Sequence, residues 1–174
     1  MKKIVVMLLI VQSLFAINLE ETLSNVILEN EYGSFLNGDK WSSIEMDAPA
    51  NVVFYVDPDF KDLNDAFGEE LQKLKHKNKN FKVFVIINMA ATWIPNVLID
   101  QVLETKQENF PEAIYIKDNK KVLVNQWGID DDNSDIVLLN RQGEVEFYHS
   151  GKMTPELCDV AIKTINILSK SKIN

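Results

Sequence analysis

The sequence predicts an α/β fold in which a mixed central sheet is flanked by helices on both faces. Two continuous runs of β-branched, aliphatic and aromatic residues, Val52–Val56 and Phe81–Ile87, are typical of strands buried on both faces. The segment between them carries apolar residues at spacings of three and four, which indicates an amphipathic helix. A strand, a helix and a second strand in this order form a right-handed parallel crossover.

The first of these strands ends at Asp57, Pro58 and Asp59. Aspartate can cap a helix through its carboxylate, and proline suits the first helical turn. The residues behind them form one apolar stripe, made of Phe60, Leu63, Phe67, Leu71 and Leu74. We therefore expect a helix that begins at this cap and runs to about Lys75.

A second helix is predicted over residues 96–108, with Pro95 near its start. Residues 112–127 predict two short strands around a turn at Asp118–Lys120. Residues 135–149 then predict an antiparallel hairpin with Gly143 in its turn.

The last helix is predicted from Thr154 as N-cap, with Pro155 at its first position. Strand, helix, strand, helix, hairpin and final helix is the order of the thioredoxin fold. The sequence therefore predicts a thioredoxin-like domain over residues 51–170, preceded by an extension over 17–50 that packs on it.

Residues 1–16 have the pattern of a secretory signal peptide: two lysines, an apolar run from Ile4 to Val11, and a small residue at Ala16. The run is too short to span a bilayer. We expect cleavage after Ala16, export to the periplasm and no stable membrane insertion afterwards. Leu14 stands where a small residue is usual, so a shifted cleavage point and a retained anchor remain the alternatives.

The charge of the chain excludes one class of partner. The formal net charge is −8, and removal of residues 1–16 takes away Lys2 and Lys3, which leaves 16 basic side chains against 26 acidic ones. Phosphate binding needs a basic surface, so nucleic acid is not expected as a partner. The predicted partner is a periplasmic protein or a small ligand, and nothing in the sequence indicates a cofactor.

Several local strings resemble the YtfJ-like family of small exported bacterial proteins. They are KWSS, VIIN, IP, QWGIDDDNSDIVLLNRQGEV and SGKMTPE, which begin at Lys40, Val85, Ile94, Gln126 and Ser150. The resemblance implies a periplasmic protein with a thioredoxin-like fold, in a family without an established activity. It also implies a distant relationship to periplasmic thiol-disulfide proteins and peroxiredoxins.

Thiol chemistry can be tested against that relationship. Redox proteins of this fold place a cysteine where the first central strand meets the first helix, because a helix N-terminus lowers the thiol pKa. Here an ungapped alignment puts Asp59 and Asp62 at the two cysteine positions, and neither carboxylate can exchange a disulfide. We expect Asp57, Asp59 and Asp62 to complement the positive helix end instead.

Cys158 is the one cysteine of the chain. It shares a predicted helix face with Ala161, Ile162 and Ile165, so a buried, inert thiol is the favoured interpretation. The alternative is an oxidoreductase of the peroxiredoxin or thiol-disulfide type that relies on Cys158. Redox relatives also keep a cis-proline before the final hairpin, and Ser134 stands at that position, where a trans bond is expected.

The run Asp130, Asp131 and Asp132 begins like a calcium loop but fails at later positions, because Asp135 replaces the glycine and Arg141 the bidentate glutamate. Divalent-cation binding through Asp130–Asp132 therefore stays a weaker alternative to a solvated loop, and no metal site is assigned.

The leading hypothesis is a non-redox binding or interaction module, and no catalytic residue is assigned. Its candidate surface combines acidic residues after the first strand, two tryptophans and the acidic loop: Asp57, Asp59, Trp93, Trp127, Asp130, Asp131, Asp132 and Ser134. Exposed tryptophan is favoured at interfaces. If the tryptophans instead cover the edge of the core, this surface loses its aromatic part.

Overall fold

The structure is a computed structural model that describes residues 17–170. The predicted signal peptide lies outside the described residues. No helix within residues 17–170 is long and apolar enough to cross a membrane.

A six-stranded mixed sheet forms the centre of the molecule. Its strands are β2 (Gly33–Phe35), β4 (Ala50–Val56), β5 (Phe81–Asn88), β6 (Ala113–Asp118), β7 (Ser134–Asn140) and β8 (Val145–Ser150). Their order across the sheet is β2-β6-β5-β4-β7-β8. Two short strands, β1 (Ile27–Leu28) and β3 (Trp41–Ser42), pair with each other beside it. β4 and β5 run parallel, as do β5 and β6, whereas β4 pairs with β7 antiparallel.

The helices within residues 17–170 cover both faces of this sheet. They are α1 (Asp65–Lys75), α2 (Asn96–Asn109), α3 (Val122–Trp127) and α4 (Pro155–Leu168). α1, α2 and α4 pack on one face, whose apolar cluster includes Phe67, Leu103 and Ile165. α3 packs on the other face, where Leu123 joins a second cluster. This arrangement confirms the predicted layers.

The final hairpin and helix also form as predicted. β7 and β8 pair antiparallel through a turn at Gly143, whose φ of 80° lies in the left-handed region. The hydroxyl of Thr154 caps α4 by accepting a hydrogen bond from the backbone N–H of Leu157. Pro155 occupies the first position of the helix.

The first helix begins later than predicted. Pro58–Phe60 form a short 3-10 helix, and α1 starts only at Asp65. The carboxylate of Asp57 accepts a hydrogen bond from the backbone N–H of Asp59, so it caps the 3-10 turn and not α1. Phe60 is 41% exposed, and only Phe67 and Leu71 of the predicted stripe are buried.

The prediction of a second short strand before Gly128 is wrong, since Val122–Trp127 form helix α3. The carboxylate of Asp118 accepts hydrogen bonds from the backbone N–H groups of Val122 and Leu123 at 2.9 Å each. It thereby satisfies the first turn of a helix. Leu123 and Trp127, four residues apart, are both buried.

The segment before β4 contributes to both the sheet and the core. β2 pairs with β6 and forms one edge of the sheet. Val26, Leu28 and Trp41 are fully buried in the same cluster as α3. Residues of the 17–50 segment therefore cover the face of the sheet opposite α1, α2 and α4.

Candidate binding site at the strand ends

The candidate site lies where the carboxyl end of β4 meets the start of β7. Val56 pairs with Ser134, and the backbone N–H of Asp57 donates to the carbonyl of Asn133 at 2.9 Å. This pairing brings the segment after β4 next to the acidic loop before β7. The sequence hypothesis placed these residues at the end of the sheet where the first helix begins.

Asp57 and Asp59 have different environments. Asp57 is only 3% exposed, and burial raises the pKa of its carboxyl, with further contributions from the negative charges of Asp59, Asp132 and Asp131. The carboxylate of Asp59 is at the surface and accepts a hydrogen bond from the hydroxyl of Thr92. Asp57 therefore supports the surface from below, while Asp59 belongs to it.

Thr92 connects Asp59 to the loop that carries Trp93. Trp93 follows Thr92 directly and is 89% exposed, the highest value among the large apolar side chains within residues 17–170. Placing an indole ring in water leaves a large apolar area unburied. The interpretation of Trp93 as a surface residue thus agrees with its position.

In the acidic loop, the carboxylates of Asp130 and Asp131 have different hydrogen-bond partners. Asp131 accepts hydrogen bonds from the Nδ2 atom of Asn88 and from the Nζ atom of Lys121, at 2.8 and 2.6 Å. Asp130 accepts from the hydroxyl of Ser150 and from backbone N–H groups of its own loop. Although burial acts to raise it, these hydrogen bonds hold the pKa of Asp130 below its usual value.

The arrangement does not favour a cation site. Within residues 17–170, no group of three or more histidine, cysteine, aspartate or glutamate side chains is placed to hold a metal ion. Asp130 is bound to Ser150, Asp131 to Asn88 and Lys121, and Asp132 extends into solvent.

Ser134 is almost fully buried and is held by Asn64. The Nδ2 atom of Asn64 donates to the hydroxyl of Ser134 at 3.1 Å and to the carbonyl of Gly151 at 3.0 Å. Its Oδ1 atom accepts from the backbone N–H of Met153 at 2.8 Å. No cis peptide bond occurs within residues 17–170, which confirms the expected trans bond before Ser134.

Trp127 does not belong to this surface, contrary to the sequence hypothesis. It is 4% exposed, and its indole N–H donates to the carbonyl of Ser24 at 2.9 Å. The reason is α3, which turns Trp127 toward the N-terminal segment on the opposite face. The alternative, that this tryptophan covers the core, holds for Trp127.

Asp135 lies directly beneath the loop and is fully buried. Its Oδ2 atom accepts from the backbone N–H of Asp130 at 2.7 Å and from the hydroxyl of Tyr148 at 3.2 Å, while its Oδ1 atom has no partner within residues 17–170. Burial raises the pKa of Asp135 to about 6. From the sequence, Asp135 was considered only as a mismatch to the calcium-loop pattern, and its buried position was not predicted.

A second buried carboxylate supports the loop from the other side. Asp118 is fully buried and accepts from the hydroxyl of Tyr55 at 3.2 Å. It also orients the first turn of α3, beside Lys121, which reaches Asp131. Asn88 and Asp118 could have been found from the sequence, because each is a polar residue at the end of an apolar strand. Side chains at the ends of neighbouring parallel strands lie close together.

Cys158 lies on the core side of α4 and is 7% exposed. Burial raises the pKa of its thiol, and the charges of Glu70 and Asp159 act in the same direction. A thiol with a raised pKa is a weak nucleophile at neutral pH. The position of Cys158 therefore agrees with the buried interpretation and offers no disulfide pair.

Comparison with known proteins decides the family. The family described as "Bacterial protein of unknown function (YtfJ_HI0045)" matches residues 11–168. The chain belongs to this YtfJ family. An uncharacterized Haemophilus influenzae protein is 25% identical over 164 residues, covering 88% of each chain. The uncharacterized protein YtfJ of Escherichia coli K12 is 23% identical over 120 residues, covering 67% of this chain and 65% of that protein.

Solved structures similar to this YtfJ family member share its fold. The thioredoxin domain of a thiol-disulfide oxidoreductase from Bacteroides vulgatus matches with a TM-score of 0.61 at 11% identity, over 87% of this chain and 100% of that chain. A thiol peroxidase from Chromobacterium violaceum matches with a TM-score of 0.63 at 9% identity, over 87% and 88% of the two chains. The thioredoxin-like fold is thus confirmed, and at these identities the likeness concerns the fold alone.

Proposed function

We propose that this protein is an exported, periplasmic binding module that works without thiol chemistry. The observation that carries the proposal is the junction between β4 and α1, which holds Asp57, Asp59 and Asp62 and no cysteine. This is where a redox protein of the fold needs its thiolate. Cys158 is buried in α4, away from that junction along the chain and with a raised pKa.

The strand-end surface, defined as Asp59, Trp93, Asp131 and Asp132, is the proposed contact with the partner. It joins the exposed carboxylates of Asp59 and Asp132 to one exposed indole ring, while Asp131 is paired with Lys121. Arginine and lysine side chains bind carboxylates and also stack on indole faces. A basic protein segment or a small cationic ligand therefore fits this surface, in accord with the acidic net charge.

Localisation supports the proposal only through the sequence. The apolar run from Ile4 to Val11 and the small residue at Ala16 are typical of a signal peptide. Periplasmic export would place the strand-end surface among envelope proteins.

An activity assay tests the absence of thiol chemistry. The purified protein is assayed for insulin reduction with dithiothreitol and for consumption of hydrogen peroxide, with Cys158→Ser as the paired variant. We expect the same background rate for both proteins. Turnover that disappears in Cys158→Ser would overturn the non-redox proposal in favour of an oxidoreductase.

A fluorescence titration tests the surface. Trp41 and Trp127 are buried, so acrylamide quenching reports mainly on Trp93. A peptide with four arginines should protect Trp93 from quenching, and a matched peptide with four glutamates should not. High salt should weaken the protection because ions screen exposed charges.

Matched variants separate the surface from net charge. Asp59→Asn with Asp132→Asn should lower the affinity for the arginine peptide by about tenfold, equivalent to 1.4 kcal/mol. Glu104→Gln with Asp159→Asn removes the same charge from exposed positions on α2 and α4 and should leave it unchanged. Equal effects of both pairs would reject the strand-end surface as the binding site.

A further inference from the structure

A cavity of about 470 Å³ lies between α1, α2 and the sheet. Its floor is formed by apolar side chains of the two central parallel strands: Phe54, Val56, Val83, Val85 and Ile87. Sites for small molecules in proteins measure roughly 300–1,000 Å³. The cavity is therefore large enough for an organic molecule.

The two helices present different walls to this cavity. α2 contributes Leu98, Ile99, Val102 and Leu103, and Leu98 and Val102 remain 51% and 38% exposed. α1 contributes Asp65, Gly68, Glu69 and Gln72, which fall at helical spacings of three and four. The α2 wall is thus apolar from Leu98 to Leu103 and polar at Lys106 and Asn109, whereas the α1 wall is polar and acidic.

Gly68 explains why α1 does not fill the space. A glycine inside a helix costs roughly 0.5–1 kcal/mol relative to alanine. A Cβ atom placed at Gly68 would meet no other atom within 4 Å, so the position opens into empty space. A larger side chain at this position would stabilise the helix and occupy the cavity, and glycine does neither.

The charges at the mouth favour a cation. Lys106 is bound to Asp65 at 2.9 Å and to Asp62 at 3.2 Å, and Lys61 also pairs with Asp62. Both lysines that line the cavity are thereby neutralised. The carboxylate of Glu69 makes no hydrogen bond or ion pair within residues 17–170 and is exposed on the acidic wall.

We propose that this cavity binds a single-chain amphiphile, with its aliphatic tail against α2 and the sheet and a cationic head group beside Glu69. The tail would cover apolar side chains of α2 that the protein leaves in water. The head group would find an unpaired carboxylate. This inference goes beyond the strand-end surface and does not require its partner, although Pro58 and Ser134 also line the cavity.

Isothermal titration calorimetry with decyltrimethylammonium, below its micelle concentration, tests the proposal. We expect saturable binding of one molecule per chain and a negative heat-capacity change, the marker of apolar burial. Decyl maltoside should bind more weakly because it lacks the charge, and decyl sulfate most weakly. No saturable binding of decyltrimethylammonium, or equal binding of decyl sulfate, would overturn it.

Gly68→Leu fills the cavity and Gly68→Ala is its matched control. Both variants gain helix propensity, but only leucine occupies the space. We expect Gly68→Leu to weaken decyltrimethylammonium binding by at least about tenfold and Gly68→Ala to stay within about threefold of the unchanged protein. Unchanged binding by folded Gly68→Leu would contradict the proposal.

Two further variants keep the test decisive if leucine disturbs α1. Leu98→Gln alters the exposed apolar wall and should weaken both decyltrimethylammonium and decyl maltoside. Glu69→Gln should weaken only the cationic amphiphile, and an equal loss for both would reject the role of Glu69. The double variant with Asp59→Asn and Asp132→Asn should leave amphiphile binding intact. Rejection of the amphiphile proposal can therefore be distinguished from rejection of the proposed strand-end surface.

Discussion

The Nδ2 atom of Asn64 lies 3.1 Å from the hydroxyl oxygen of Ser134, so the segment before α1 and the start of β7 are joined by a buried hydrogen bond. The same amide side chain also binds Gly151 and Met153. One residue thus connects three segments beneath the strand-end surface.

Asn64→Ala should destabilise the protein by about 3 kcal/mol, because it leaves the N–H of Met153 and the carbonyl of Gly151 without their partner. Urea unfolding followed by circular dichroism measures the change. Ser134→Ala removes only the hydroxyl and should cost about 1 kcal/mol. In the double variant the two losses should not add, because the residues share a hydrogen bond; full additivity would show that they act independently.

Asp135→Asn should stabilise the protein at neutral pH. The pKa of Asp135 is raised from 3.8 to about 6 in the folded state, so the native protein binds its proton more tightly than the unfolded chain does. Its contribution to the unfolding free energy falls as pH rises from about 4 to about 6 and is then constant, a loss of about 3 kcal/mol. The difference between Asp135→Asn and the unchanged protein should grow over that interval.

Asp130 should affect the unfolding free energy in the opposite direction. The pKa of Asp130 is lowered in the folded state, so its contribution is present above pH 3.8 and is lost as pH falls through the folded value. Asp130→Asn should therefore destabilise the protein at neutral pH. Stabilisation by Asp130→Asn would contradict the lowered pKa of Asp130, and destabilisation by Asp135→Asn would contradict the raised pKa of Asp135.

Cys158 should react slowly with 5,5′-dithiobis(2-nitrobenzoic acid) in the native protein and rapidly in 6 M guanidinium chloride. Burial removes access, and the raised pKa reduces the thiolate fraction. Cys158→Ala should cost about 1–2 kcal/mol, since the side chain packs in the core. Native labelling as fast as that of free cysteine would mean that the thiol is accessible.

Gly33→Ala should destabilise the protein by at least about 3 kcal/mol. Its φ is 145°, and an added Cβ would overlap the carbonyl oxygen of Lys117 on the paired strand β6. Gly38→Ala is the control, because its φ of 88° is also positive but nothing lies within 4 Å of an added Cβ. Thermal melts should show a clearly larger loss for Gly33→Ala, and equal losses would point to backbone conformation alone.

The central strands could be predicted because their sequences leave few alternatives. Val52–Val56 and Phe81–Ile87 are apolar at nearly every position, as strands covered on both faces require. The final hairpin and α4 carried strong local signals in Gly143, Thr154 and Pro155. These elements suffice to fix the layers of the fold.

The errors arose where distant or side-chain contacts override local preference. Val122 and Val124 favour a strand locally, but the carboxylate of Asp118 caps this segment as a helix. The same change moved Trp127 from the predicted surface into the core. Capping by a strand residue four positions earlier has no simple sequence pattern.

The candidate site was only partly predictable. Asp59, Trp93, Asp131 and Asp132 stand in loops at the same end of the sheet, so their placement there could be anticipated. Buried Asp135 and Asn64 could not, because their roles depend on which backbone groups meet them in the fold. The cavity likewise follows from the distance between α1 and α2, and Gly68 within an otherwise good helix was its one visible signal.

Because β4 pairs with β7, the strand-end surface also depends on the stability of the C-terminal hairpin. Val56 and Ser134 are far apart in the chain, yet both segments of the strand-end surface depend on their register. Local opening of the C-terminal hairpin would separate Asp57 from Asn133 and abolish the surface at once. A ligand bound there would slow amide hydrogen exchange in both strands, although it touches only their ends.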